Sequence, residues 1–264
     1  MDFNSSIGLT DDGSGNVVSW ADQTQGSIRL ATPTGGTRGT PTVVSSVFAS
    51  GQAGIFFDGT TADGLSFATS AASLDPVGNS AFTMAVVFQV PEWHVGSVQP
   101  TPFSWGAQLP SGAEAGMAID NAAGGTDLLY HNLSGAVQSN LAVAVQTNYI
   151  AIITRDGAAG NMTFDLVSDG SSLSATGTGG GNFITSGGGR MGNMVNDRVS
   201  KIPNFQFNGY IGHVLVYDTQ LDATARAQLV SDLNPYIVVP EPATLGLLGI
   251  GGCLLSIRRR KSRR

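Results

Sequence analysis

A two-residue alternation, repeated along the chain and broken by glycine, is the strongest constraint on the fold. Over residues 82–90, Phe82, Met84, Val86, Phe88 and Val90 fall on one face of an extended segment. Over 162–168, Met162, Phe164 and Leu166 alternate with Thr163, Asp165 and Val167. Over 207–217, Ile211, His213, Leu215 and Tyr217 alternate with Tyr210, Gly212, Val214 and Val216. Residues 149–154 have an apolar centre, and shorter candidate strands lie at 17–20, 54–58, 103–106, 117–120 and 128–132. The 36 glycines supply turns between these segments. Helical periodicity is almost missing. The pattern predicts an all-β antiparallel sandwich, and the length allows one large core.

One short accessory helix is predicted near the end. Asp222 is a good N-cap, Ala225, Leu229 and Leu233 recur every four residues with Val230 beside them, and Asn234 and Pro235 stop the pattern. Residues 170–189 hold eight glycines and read as a loop or a loose hairpin edge.

Charge narrows the ligand class. Residues 1–238 carry seven basic and 18 acidic side chains, a balance of −11. Such a surface argues against nucleic acid or an anionic membrane as the ligand of this part. The single cysteine, Cys253, lies beyond it, so residues 1–238 form no disulfide and depend on core burial or bound ions.

The C-terminus has a different character. Val239, Pro240, Glu241 and Pro242 precede an uncharged, mostly apolar stretch from Ala243 to Ile257. Arg258, Arg259, Arg260, Lys261, Arg263 and Arg264 follow. The prolines keep residues 237–242 extended. Residues 243–257 make a helix of about 22 Å, short for a hydrocarbon core of about 30 Å. Snorkelling arginines narrow the gap, and the basic end at 258–264 stays cytoplasmic, which places the bulk of the chain on the other side. A marginal span suits a transient anchor. The chain therefore reads as a sandwich over 1–236, a linker, a hydrophobic transmembrane helix and a basic tail.

This tail resembles the PEP-CTERM sorting signal of exported Gram-negative proteins. The resemblance implies an exosortase-type membrane enzyme as partner, with Val239–Pro242 as the recognition and cleavage segment. It also implies transient residence in the inner membrane and a final site at the cell surface or outside, near extracellular polysaccharide. Export needs a leader, and residues 1–6 show none, so the true start is expected upstream of Met1.

The rest resembles LamG-like, or concanavalin A-like, jelly rolls. The carrying residues are Gly13, Gly15, Val17, Trp20 and Asp22, then Ile55–Gly59 with Leu65, then Phe82–Val90. The final strand runs from Phe207 through Gly209, Ile211, Val214 and Val216 to Tyr217 and Asp218, followed by Leu221 and Arg226. Such domains usually have one more strand before Gly13, here missing or reduced to residues 3–9.

Chemistry is sparse. The three glutamates, Glu92, Glu114 and Glu241, have no carboxylate two residues away, so the paired acids of a glycoside hydrolase strand are missing. His94, His131 and His213 lack metal-ligand spacing. Calcium is the candidate cofactor, with Asp120, Asn121 and Asp127 as its best oxygen cluster and Asp11–Asp12 or Asp58 with Asp63 as others. Trp93, Trp105 and Tyr130 are the candidate sugar-stacking aromatics, and Trp20 is assigned to the core. The expectation is a non-catalytic carbohydrate-binding or structural domain. A glycan-cleaving enzyme on the same sandwich is the alternative.

Overall fold

A computed structural model describes residues 1–24, 30–33, 40–59, 64–67, 80–93, 99–106, 114–121, 126–132, 135–157, 159–179, 188–192 and 205–238. In chain order the strands are β1 (Asp2–Asn4), β2 (Leu9–Asp11), β3 (Val17–Ala21), β4 (Leu30–Pro33), β5 (Thr42–Val44) and β6 (Gly54–Asp58). Next come β7 (Leu65–Phe67), β8 (Ala81–Gln89), β9 (Phe103–Gly106), β10 (Glu114–Asp120), β11 (Asp127–Asn132) and β12 (Gly135–Ala142). The last are β13 (Asn148–Asp156), β14 (Asn161–Ser168), β15 (Ser171–Thr178), β16 (Gly189–Met191) and β17 (Asn208–Tyr217), followed by helix α1 (Ala223–Leu233).

The described strands form two antiparallel sheets. The first runs β15-β14-β13-β8-β17-β6-β5, with β1 also on β17. The second runs β12-β11-β10-β9-β16-β7-β4-β3-β2. Their facing sides bury one core, to which Trp20, Phe57, Phe82, Phe88, Trp105 and Phe164 belong. Edge-on rings fix its centre, as in Phe82 against Trp105 at 5.3 Å between centroids.

Strand β8 is apolar on both sides because both are covered. Phe82, Met84, Val86 and Phe88 enter the main core. Ala85 and Val87 instead join Ile150, Ile152, Leu229 and Leu233 in a second cluster beneath α1. A strand buried on both faces reads as a continuous apolar run. Helix α1 starts as its sequence predicts: the Asp222 carboxylate accepts from the Ala225 amide at 2.8 Å. Arg226 ties it down, its Nε donating to Asp165 at 2.8 Å.

Two segments are more regular than their sequences suggest. Residues 171–178 form a full strand, β15, paired along its length with β14 from Ser171↔Ser168 to Thr178↔Asn161. Its inward positions include Ala175 and Gly177, and a Cβ on Gly177 would lie 2.6 Å from Val137 Cγ1. Small residues there suit the close approach of β12 and are no sign of a loop. The N-terminal region supplies both β1 and β2, and Phe3 is wholly buried against Trp20. Among the described residues no helix is long and apolar enough to cross a membrane. The segments 239–242, 243–257 and 258–264, with their sorting and membrane-orienting residues, lie outside the described residues.

Candidate functional site on the second sheet

Helix α1 occupies the outer side of the first sheet; on the outer side of the second no helix lies among the described residues, and the outward-facing Ser104, Ala118 and Leu129 are fully buried there. Alternation assigns the side chains there. Leu65, Phe67, Phe103, Trp105, Ala115, Met117, Leu128, Tyr130 and Met191 point into the core, so their neighbours in sequence point out. Register then aligns the outward residues in one transverse row. Thr32 pairs with Ser66, Ser66 with Arg190, and Arg190 with Ser104. Ser104 pairs with Gly116, Gly116 with His131, and His131 with Ala136. Seven strands at a spacing of about 4.8 Å make this row about 29 Å long.

The row is polar and graded in depth. Ser104 and Gly116 are buried at its centre, Ser66, Arg190 and His131 are half-buried, and Thr32 and Ala136 are exposed. The Phe205 ring lies 5.8 Å from the His131 ring, and Phe205 is held in place by its carbonyl accepting from the Thr101 amide. Burial lowers the pKa of His131 from its ordinary value of 6.5, so it is a neutral imidazole at neutral pH. Its Nδ1 is buried with no hydrogen-bond partner among the described residues. With Ser104 fully buried, the polar groups of the row that come toward its surface are the Arg190 guanidinium, the Thr32 and Ser66 hydroxyls and the His131 imidazole.

Four residues along the strands from Gly116 and His131, Asp120 and Asp127 stand directly opposite each other on the same outer side. The structure thus unites two members of the sequence-predicted cluster, with Asn121 adjoining. Gln138 Nε2 donates to Asp120 Oδ2 at 2.6 Å. Calcium takes six to eight oxygens, and no group of three or more His, Cys, Asp or Glu converges among the described residues. The pair alone falls short of that set. Asp11 and Asp12 serve their own turn: Asp12 accepts from Ser14 N, Asn16 N and Asn16 Nδ2. The Asn16 side chain is the main cause of the lowered Asp12 pKa. Asp63 and His94 lie outside the described residues.

The aromatic candidates need correction. Trp105 and Tyr130 are each 1% exposed and face Phe82 inside the core, at 5.3 and 5.9 Å between centroids. No sugar can stack on them there. Trp93, half-buried after β8, packs on the edge of the same core. His213 is a packed strand residue as expected, its Nε2 2.6 Å from Asp2 Oδ1. Arg190, Ser66, Ser104, Gly116 and His131 as a set were missed. Alternation opposite Phe103, Trp105 and Tyr130 was the available signal for two of them.

Residues 238–264 match the PEP-CTERM protein-sorting motif. The chain is thus marked as a secreted protein sorted to the cell surface, and the motif implies processing by exosortase, a membrane enzyme. No curated protein matches the chain. Among solved structures it is similar to a GH54 α-L-arabinofuranosidase soaked with a cyclic sulfate inhibitor, at 12% identity and a TM-score of 0.61. That match covers 85% of this chain and 52% of the other. It is also similar to the enzymatically active domain of bacteriophage CBA120 tailspike protein 2, at 19% identity and a TM-score of 0.50, covering 79% and 32%. A Trypanosoma rangeli sialidase with 2,3-difluorosialic acid gives 13% identity and 0.50, covering 88% and 32%. The chain therefore spans about half the length of the first and a third of the other two. At these identities the likeness shows the fold alone.

Proposed function

We propose that the protein is a surface-sorted, non-catalytic carbohydrate-binding domain of LamG-like, concanavalin A-like type. Its ligand lies along the outer side of the second sheet. The observation that carries this reading is the unbroken row Thr32–Ser66–Arg190–Ser104–Gly116–His131–Ala136. The Thr32 and Ser66 hydroxyls in line with the Arg190 guanidinium suit the hydroxyls of a glycan chain, and the surface sorting that the motif marks supports the reading. Arg190 fixes the ligand's orientation, since its planar fork has directed donors that lysine lacks. His131 is neutral, and with its Nδ1 buried only Nε2 is left to meet the ligand.

The test is affinity electrophoresis and glycan-array binding of the purified domain, wild type beside Arg190→Ala and His131→Ala. Binding by the wild type and at least tenfold weaker binding by Arg190→Ala is the expected result. A blank array and unretarded migration on every polysaccharide would sink the reading in favour of a purely structural surface protein.

One observation favours a second reading. The cross-strand carboxylates Asp120 and Asp127 are the kind of pair that cleaves glycosidic bonds when about 5–5.5 Å separates them. Sugar release by the wild type, abolished in Asp127→Asn, would establish a glycan-cleaving enzyme instead.

A further inference from the structure

The sorting motif begins on a residue that the folded body still holds. Val238 is the first residue of the match. Its carbonyl accepts from the Ser50 hydroxyl at 3.1 Å, and its amide donates to the Asn234 carbonyl at 3.0 Å. Its side chain packs against the cluster beneath α1, where Ile237 is buried. The adjoining Tyr236 ring lies edge-on to Phe48 at 5.6 Å and to His213 at 5.8 Å. The Tyr236 hydroxyl donates to Asn4 Oδ1 at 2.9 Å. The exit of the tail is therefore seated on the turn around Ser50, on β17 and on the N-terminal strand β1.

We infer that this seat restrains the sorting motif, and that processing of the tail proceeds through release of residues 234–238 from the sandwich. The inference rests on the sorting reading. From Val239 to Pro242 only four residues separate the seat from the apolar stretch, a reach of about 14 Å when extended. With Val238 seated, a membrane enzyme reaching for that segment meets the folded body at once. Release of 234–238 adds five residues and about 17 Å of reach. Local openings of this size cost less than global unfolding, so the seat sets a rate without needing the domain to unfold.

The N-terminal strand is part of the lock. Asn4 holds the Tyr236 hydroxyl, and β1 is fixed by Asp2↔Leu215 pairing, by the Asp2–His213 contact and by the Trp20 indole donating to the Asn4 carbonyl. The seat is complete only when the first strand and the last are both in place. Processing is thereby coupled to completion of the fold.

The test follows the mature C-terminus of the full chain by intact mass after a pulse of synthesis, in cells that carry the processing enzyme. Ser50 has φ 52°, a backbone that glycine adopts freely, so Ser50→Gly removes the hydroxyl without strain. It raises the processing rate between two- and about fivefold, the response of an opening equilibrium to one lost hydrogen bond. An eight-residue Gly-Ser insertion after Val238 bypasses the seat and raises the rate at least as much. Wild-type rates in both variants overturn the inference and leave the sorting reading intact. A wild-type tail that is never trimmed overturns the sorting reading, and the inference with it. Should Ser50→Gly prove unstable, the insertion, which touches nothing in the sandwich, decides.

Discussion

Gly116 lies directly across from Ser104 on the neighbouring strand, so close that a Cβ on Gly116 would come within 3.1 Å of Ser104 Cβ. The Phe103 carbonyl oxygen would be 3.3 Å away. Both obstacles are backbone or next to it and cannot swing aside. Gly116→Ala should therefore destabilise the domain by about 1–3 kcal/mol through overpacking, read as a lower denaturant midpoint. It also raises the floor of the polar row, so glycan binding should weaken beyond what the folded fraction explains. Unchanged stability and affinity together would remove Gly116 from the site.

His131 gives the site a pH signature. Burial lowers its folded-state pKa below 6.5, its ordinary value. The unfolded chain then takes up the proton first as pH falls. The stability linked to His131 is complete above about 6.5 and is lost as pH drops from there through the lower folded value. Denaturation midpoints at pH 7.5 and 5.5 should differ more in the wild type than in His131→Gln. Equal differences would mean that the imidazole titrates as freely folded as unfolded.

Asp120 and Asp127 face each other with like charge. Cross-strand like charges are destabilising by about 0.2–1 kcal/mol. In calcium-free buffer Asp127→Asn should raise the unfolding free energy by about 0.2–1 kcal/mol, read as a higher unfolding midpoint, with the Gln138–Asp120 hydrogen bond kept. A wild-type midpoint that climbs with added calcium, while Asp127→Asn stays level, would instead establish a cation between the two carboxylates.

Helix α1 begins on one side-chain hydrogen bond, from the Ala225 amide to Asp222. Asp222→Ala should cost about 1 kcal/mol. For a domain of this size that lowers the thermal midpoint by about 2–4 °C. Asp222→Asn keeps the acceptor and most of the stability. Equal losses in the two variants would show that charge, and not the cap, is what matters.

Local pattern carried the fold a long way. β8, β13 and β17 are strands close to where the sequence puts them because alternating or continuous apolar segments bounded by turn residues have few other solutions. Asp222 started the helix because its carboxylate can reach an orphan amide. For residues 171–178 a loop and a loose hairpin edge stay open because glycine signals turns only statistically, and the structure makes them the edge strand β15. At Gly177 glycine makes room for Val137 of β12, which is remote in sequence. Trp105 and Tyr130 were read as surface aromatics because a single strand does not state which of its faces is inside. The polar row was illegible for a stronger reason. Its residues come from positions between 32 and 190, and only the register of seven strands aligns them. No local window contains that information.

Tyr236 and Ile237 pack on the same side of the molecule as α1, against the outer surface of the first sheet. The Arg190 row lies on the reverse. The point from which the tail leaves and the row proposed to bind ligand are therefore on opposite faces of the sandwich. On the proposed reading, binding along that row is then the same before and after the tail is trimmed.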